Sequence, residues 1–218
     1  MNSSLDLDAF RATPLKRQPY DYLVVPGFVK AASFAEIVAA YPDIDKPGSF
    51  PPSTLTCPPR FQSFLAELEA EPFRKAIEEK FSLDLSGRPT MITVRARTRA
   101  TDGTIHTDTE SKIITVLIYF NQSWDADGGR LRILRRPDRL DDYTEEVSPY
   151  GGTLLAFRRS TRSWHGHEPF EGPRRAVQLN WVTDQATVDR ELGELGVLDA
   201  VRPAPQHLAG SHHRDVRP

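Results

Sequence analysis

Two patterns of apolar residues divide the chain, one at helical spacing up to about residue 89 and one of short alternating runs beyond it. Phe34, Ile37, Val38 and Tyr41 fall at i, i+3, i+4 and i+7, and Ser33 with Glu36 has the separation of a capping box, which predicts a helix from about Phe34. Phe61, Phe64, Leu65 and Leu68 predict a second helix. Pro72, suited to a first helical turn, opens a third with Phe73, Ile77 and Phe81. All three read as buttressing helices. The stretch 42–59 between the first two holds six of the 18 prolines, which cannot build ladders, so it reads as a structured loop or a lid, and the long charged stretch 135–150 is the other candidate lid, or an inert surface insertion.

From residue 90 the segments 91–98, 104–108, 112–120, 130–134, 153–157 and 175–182 are rich in Val, Ile, Thr and aromatics. Turn signals separate them, among them Thr101-Asp102-Gly103, Asp127-Gly128-Gly129 and Pro149-Tyr150-Gly151-Gly152. This spacing predicts a sandwich or jelly roll of about eight strands. A short helix is expected around 187–195, then a polar tail at 205–218 that is expected to be disordered. No internal repeat is present, so 1–218 reads as one domain: 1–89 helical buttress and loops, 90–183 β core, 184–204 short helix, 205–218 tail.

Charge narrows the partners. Lys plus Arg number 28 and Asp plus Glu 30, so 28 − 30 gives −2, and no basic field exists to hold nucleic acid. The longest apolar run, 113–120, is interrupted by Thr115 and falls far short of the roughly 20 residues of a membrane-spanning helix. No membrane partner is expected. The first ten residues carry acid where a secretory signal carries base, so a cytoplasmic location is expected. The single cysteine, Cys57, reads as a plain loop residue, and any metal must be held by His, Asp or Glu.

Candidate chemistry starts at His106-Thr107-Asp108, because side chains at i and i+2 of an extended segment project to one side. The second element is Ser163-Trp164-His165-Gly166-His167, in which either imidazole could reach a metal. Two imidazoles and one carboxylate on a single face leave three positions open, the arrangement of non-haem Fe(II) oxygenases, although zinc accepts the same donors. In β-alternation Arg175 heads the row Val177, Leu179, Trp181, and Arg174 heads the row Ala176, Gln178, Asn180. If the apolar row faces inward, Arg175 is a buried cation in need of a carboxylate, which a dicarboxylate cosubstrate would supply. Arg95, Arg97 and Arg99 also share one face and would suit an anionic group, or simply a solvated edge.

These residues occur in a familiar order. His106-x-Asp108, the strand 113–121 followed by Trp124, Gly128-Gly129-x-Leu131, the turn into Gly152-Thr153-Leu154-Leu155-Ala156-Phe157, then His165, Pro169, Gly172, Arg175 and Trp181 resemble the core of the Fe(II)/2-oxoglutarate-dependent oxygenases, most closely the prolyl hydroxylase-like branch. The resemblance covers roughly 90–183 and implies a mainly β fold with flanking α-helices around a double-stranded β-helix, or jelly roll. It implies that His106, Asp108 and His165 ligate iron, with Pro169 favouring His165 over His167. It implies that Arg175, ten residues past His165 and six before Trp181, holds the distal carboxylate of 2-oxoglutarate with Tyr119; Arg174, at the nine-residue spacing some members use, is the alternative. The cofactors implied are Fe(II), 2-oxoglutarate and O2, with ascorbate a candidate reductant, and the activity is a dioxygenase hydroxylating a C–H bond with release of succinate and CO2. The three arginines in 93–99 stand where many relatives carry an aromatic, so the substrate stays open between a peptidyl side chain and a small molecule. A zinc or iron jelly-roll enzyme without 2-oxoglutarate, or a silent binding module, are the competing readings.

Overall fold

In the computed structural model, which describes residues 3–200 and side chains as far as Gly193, the alternating segments pair into two antiparallel sheets. Strands β1 (Tyr22–Val25), β2 (Thr90–Thr98), β3 (Lys112–Tyr119), β6 (Leu154–Arg158) and β8 (Gly172–Val182) form the larger, in the order β1-β6-β3-β8-β2. Strands β4 (Leu131–Leu134), β5 (Tyr143–Val147) and β7 (His165–Gly166) form the smaller, in the order β5-β4-β7. The helices are α1 (Leu7–Ala12), α2 (Ala31–Ala39), α3 (Pro59–Glu69), α4 (Glu71–Phe81) and α5 (Gln185–Ala200). This is the mainly β jelly roll with flanking helices that the patterning predicts.

Alternation gives the larger sheet two unlike faces. Ile92 and Val94 of β2, Ile114, Val116 and Ile118 of β3, and Val177, Leu179 and Trp181 of β8 lie on one side, where they pack with Phe61, Phe64 and Leu68 of α3 and Phe73, Ile77 and Phe81 of α4 in one buried cluster. The opposite face meets the smaller sheet. At one end Tyr22, Leu155, Phe157 and Ala176 close against Leu131, Ile133 and Val147, and the remainder opens as a polar cavity lined from both sheets.

The structure departs from the sequence reading at identifiable points. Helix α2 starts at Ala31, one turn before Phe34, and its N-cap is Lys30 without a side-chain cap bond. Lys30 N donates to Ser4 O, and Lys30 O accepts from Ser33 N and Phe34 N, so a tertiary anchor sets the start and Ser33 lies inside the first turn. Segment 104–108 is not a strand; only His106 pairs, in an isolated bridge to His165. Strand β1 is too short to stand out among helical segments, and β5, Tyr-Thr-Glu-Glu-Val, is a half-buried edge strand without an apolar row. The tail at 205–218, with His207, His212 and His213, lies outside the described residues. No described helix is long and apolar enough to cross a membrane.

Trp181 is fully buried and its ring centroid lies 6.0 Å from that of Phe73, so it joins the sheet to α4. Trp181→Ala is expected to destabilise the fold by about 3–5 kcal/mol through the lost transfer energy and the cavity left behind. Chemical denaturation of the two proteins measures the difference.

Candidate functional site

His106, Asp108 and His165 converge: one donor atom from each lies within 4.8 Å of the other two. The main chain arranges this. His106 N–H donates to His165 C=O and His165 N–H to His106 C=O, each at 3.0 Å, which sets the two rings 4.3 Å apart between centroids. Asp108 follows two residues later. His106 Nδ1 lies 2.7 Å from Thr104 O and His165 Nδ1 lies 2.9 Å from Ser163 O. A carbonyl can only accept, so each Nδ1 carries the proton and each Nε2 keeps its lone pair for a metal.

Charge states favour a cation here. Burial lowers the pKa of His165 to about 4, the Asp108 charge opposes that and His106 adds to it, and the imidazole is neutral near pH 7. Asp108 is buried too, which raises its pKa, but Lys112, His165 and the bond from Thr115 outweigh that and leave it below the ordinary carboxylate value. Lys112 Nζ donates to Asp108 Oδ1 at 3.0 Å and Thr115 Oγ1 to Oδ2 at 2.5 Å. Two imidazoles and one carboxylate are the donor set expected around a divalent ion.

The cavity beside these residues has a volume of about 450 Å³. It is lined by Arg174, Ala176 and Gln178 of β8, Thr115 and Leu117 of β3, and Thr93 and Arg95 of β2, with Leu131 opposite. Arg174, not Arg175, is the cation in its wall. The alternation of β8 holds, but the apolar row headed by Arg175 packs on the helices, because the inner space of this jelly roll is polar and the outer face of the sheet is the dry one. Arg175 is half-buried, with its guanidinium 5.4 Å from the centre of the Tyr41 ring.

Arg174 is 5% exposed and pairs with no carboxylate among the described residues. Its Nε donates to Gly129 O at 2.8 Å, and one terminal nitrogen makes a long 3.5 Å contact with the Tyr119 hydroxyl, whose ring lies 5.2 Å from the guanidinium carbon. Gly129 has φ +76°, and a Cβ there would meet Trp124 at 2.7 Å, so glycine lets this carbonyl turn toward Arg174. Tyr119 thus lies beside Arg174 rather than Arg175, fully buried behind the cavity wall. Burial raises the pKa of its hydroxyl against the effect of Arg174, so it is a neutral donor near pH 7.

His167 enters the cavity wall but is not part of the three-residue cluster. Its Nδ1 donates to Glu168 O at 2.8 Å, and a Cβ on Gly103 would stand 2.3 Å from its ring. Arg95 also reaches the cavity, held by Asp102 at 3.3 Å and Ser49 at 2.9 Å. Through Ser49 the segment 42–59 is part of the wall, pinned by the paired backbone bonds of Phe50 and Val94, whereas no residue of 135–150 lines it. Sequence reasoning missed Lys112, Thr115, Gln178 and Asn180. The polar row on β8 was the available signal for the last two.

Residues 95–183 match the family model described as the 2OG-Fe(II) oxygenase superfamily. Among solved structures the chain is similar to a prolyl-4-hydroxylase from Pseudomonas putida, at 17% identity over 82% of this chain and 93% of that one, with a TM-score of 0.52. It is similar to a prolyl 4-hydroxylase from Phytophthora capsici at 13% identity over 91% and 77%, TM-score 0.54. HygX from Streptomyces hygroscopicus, solved with nickel and 2-oxoglutarate bound, shares 13% identity over 75% and 82%, TM-score 0.52. No functionally curated protein matches the chain. The matched segment holds the metal-ligand candidates and Arg174, and the fold is prolyl hydroxylase-like.

His167, like His165, has its pKa lowered to about 4, by burial first and then by Arg174. In the unfolded chain both imidazoles return to about 6.5, so the unfolded state binds more protons between those values and stability falls as pH drops through that window. The denaturation midpoint of the metal-free protein is expected to decline from pH 6.5 to about 4, and less steeply in His167→Gln. A midpoint flat across the interval contradicts the buried neutral imidazoles.

Proposed function

We propose that this protein, whose residues 95–183 match the 2OG-Fe(II) oxygenase superfamily, is a dioxygenase of that superfamily that hydroxylates an unactivated C–H bond of a small-molecule or peptidyl substrate. Substrate, O2 and 2-oxoglutarate give hydroxylated substrate, succinate and CO2, so one oxygen atom enters the product and the other the succinate carboxylate. The observation that carries this reading is Arg174, a buried guanidinium with no carboxylate partner among the described residues, lining the same cavity as His106, Asp108 and His165. An unpaired buried cation is costly, and the distal carboxylate of a 2-oxo diacid removes that cost.

His106 Nε2, His165 Nε2 and an Asp108 oxygen would hold Fe(II), with positions left for the 2-oxo acid and dioxygen. The bound metal and cosubstrate supply the oxidising power for C–H hydroxylation, which no side chain of this protein can provide. The protein's own residues bind and orient. Arg174 offers a charged hydrogen bond to the distal carboxylate, and Tyr119, kept neutral by burial, offers its hydroxyl proton beside it. Leu117 and Leu131 supply apolar walls to the same cavity, which limits the water around the reacting groups. Thr104 O and Ser163 O hold the two imidazoles in the tautomer that presents Nε2. A jelly-roll metalloenzyme without a 2-oxo acid would leave Arg174 without a partner.

Anaerobic addition of Fe(II) and 2-oxoglutarate is expected to give a weak visible charge-transfer band, absent in His106→Ala. Truncating one partner of a buried charge pair costs about 2 kcal/mol or more, so Arg174→Ala should raise the 2-oxoglutarate needed for half-saturation by at least about 30-fold. Arg175→Ala should leave it unchanged. No band in the intact protein, or a titration indifferent to Arg174, overturns the proposal.

A further inference from the structure

Behind the Asp108 carboxylate lies a file of polar side chains that the binding roles above do not use. Gln178 Nε2 donates to Asn180 Oδ1 at 2.8 Å, Asn180 Nδ2 donates to Thr115 Oγ1 at 2.8 Å, and Thr115 Oγ1 donates to Asp108 Oδ2 at 2.5 Å. The register places them: Thr115 of β3 stands opposite Asn180 of β8, and Leu117 opposite Gln178, so the file runs along the inner face of the larger sheet.

The direction of every bond follows from its inner end. An ionised carboxylate can only accept, so the Thr115 hydroxyl proton points at Asp108. The Thr115 oxygen must then accept, which turns the Asn180 amide so that its NH2 faces Thr115. That leaves Asn180 Oδ1 facing Gln178, whose NH2 fills it. Thr115 is 2% and Asn180 1% exposed, so a broken link leaves a donor or acceptor without ready access to water. Asp108 Oδ1 is meanwhile held by Lys112, so both oxygens are fixed and the carboxylate plane has no freedom to rotate. Gln178, at the outer end, lines the cavity.

We propose that Gln178, Asn180 and Thr115 are positioning residues that orient the Asp108 carboxylate through a hydrogen-bonded chain of fixed direction, so that metal affinity depends on side chains that do not themselves ligate the metal. The inference rests on the reading of Asp108 as a metal ligand. Outer partners of metal ligands set the orientation and basicity of the donor, and their loss costs typically 10–100-fold in affinity. The effect should be largest at Thr115, which touches the carboxylate, smaller at Asn180 and smallest at Gln178.

The test is Mn(II) binding to the metal-free full chain, followed by the loss of the free-ion electron paramagnetic resonance signal. Thr115→Val, nearly isosteric but without the donor, is expected to weaken Mn(II) binding by about 10–100-fold, and Thr115→Ser to restore most of it. Asn180→Leu and Gln178→Leu should show decreasing losses in that order, and these two carry the test if Thr115→Val does not fold. Asp108→Ala serves as the reference for a lost ligand. If the intact protein binds no Mn(II), or Asp108→Ala binds it equally well, the ligand reading fails and the inference with it. If Asp108→Ala loses binding while Thr115→Val, Asn180→Leu and Gln178→Leu match the intact protein, the positioning chain alone is refuted.

Discussion

Two backbone hydrogen bonds, exchanged between His106 and His165, are the constraint on which the site depends. They join an irregular loop after β2 to the short strand β7 and set two imidazoles face to edge before any metal arrives. The cost of bringing together residues 59 positions apart in sequence is met by folding of the two sheets rather than by the ligand. Asp108 then needs only the two-residue step from His106 and the bonds from Thr115 and Lys112 to complete the set.

The larger sheet gives this loop something rigid to lean on. Its outer face is dry and carries the aromatic and aliphatic packing against α3 and α4, while its inner face holds Arg174, Gln178, Asn180, Thr115 and Arg95. Burying so many polar groups is tolerable only because nearly all are satisfied by one another. Arg174 stands apart. It has a carbonyl and a long contact to a phenol but no carboxylate among the described residues, and the proposed role of the cavity rests on that incompleteness.

Much of this was legible in the sequence. The i, i+3, i+4 spacing of Phe61, Phe64, Leu65 and Leu68 marks α3, whose four residues are all buried, and alternation marks β2, β3 and β8. With one cysteine in the chain, any metal had to be held by His, Asp or Glu, which made His106, Asp108 and either His165 or His167 candidates, and the resemblance to the oxygenases chose His165. Alternation also divided Arg174 from Arg175, but it cannot say which face of a strand is the cavity. The rule that apolar rows face inward selects Arg175; in this fold the apolar row of β8 meets the helices and the polar row lines the site. Segment 104–108 misled for a related reason, since an extended sequence pattern does not reveal whether a partner strand is present on both sides. Thr115, lying inside an apolar run, carried no local sign that its hydroxyl meets a carboxylate seven residues earlier.

The central claim, that the Arg174 guanidinium reads the far end of a 2-oxo diacid whose near end lies at the three-residue cluster, is tested most directly by comparing two ligands that differ only there. Calorimetric titration of the Mn(II)-loaded protein, without oxygen, with 2-oxoglutarate and with 2-oxopentanoate isolates the distal carboxylate. The intact protein is expected to prefer the diacid by at least about 30-fold, and Arg174→Ala to lose that preference. Equal affinity for the two acids in the intact protein, or a preference for the diacid that survives in Arg174→Ala, would contradict the account.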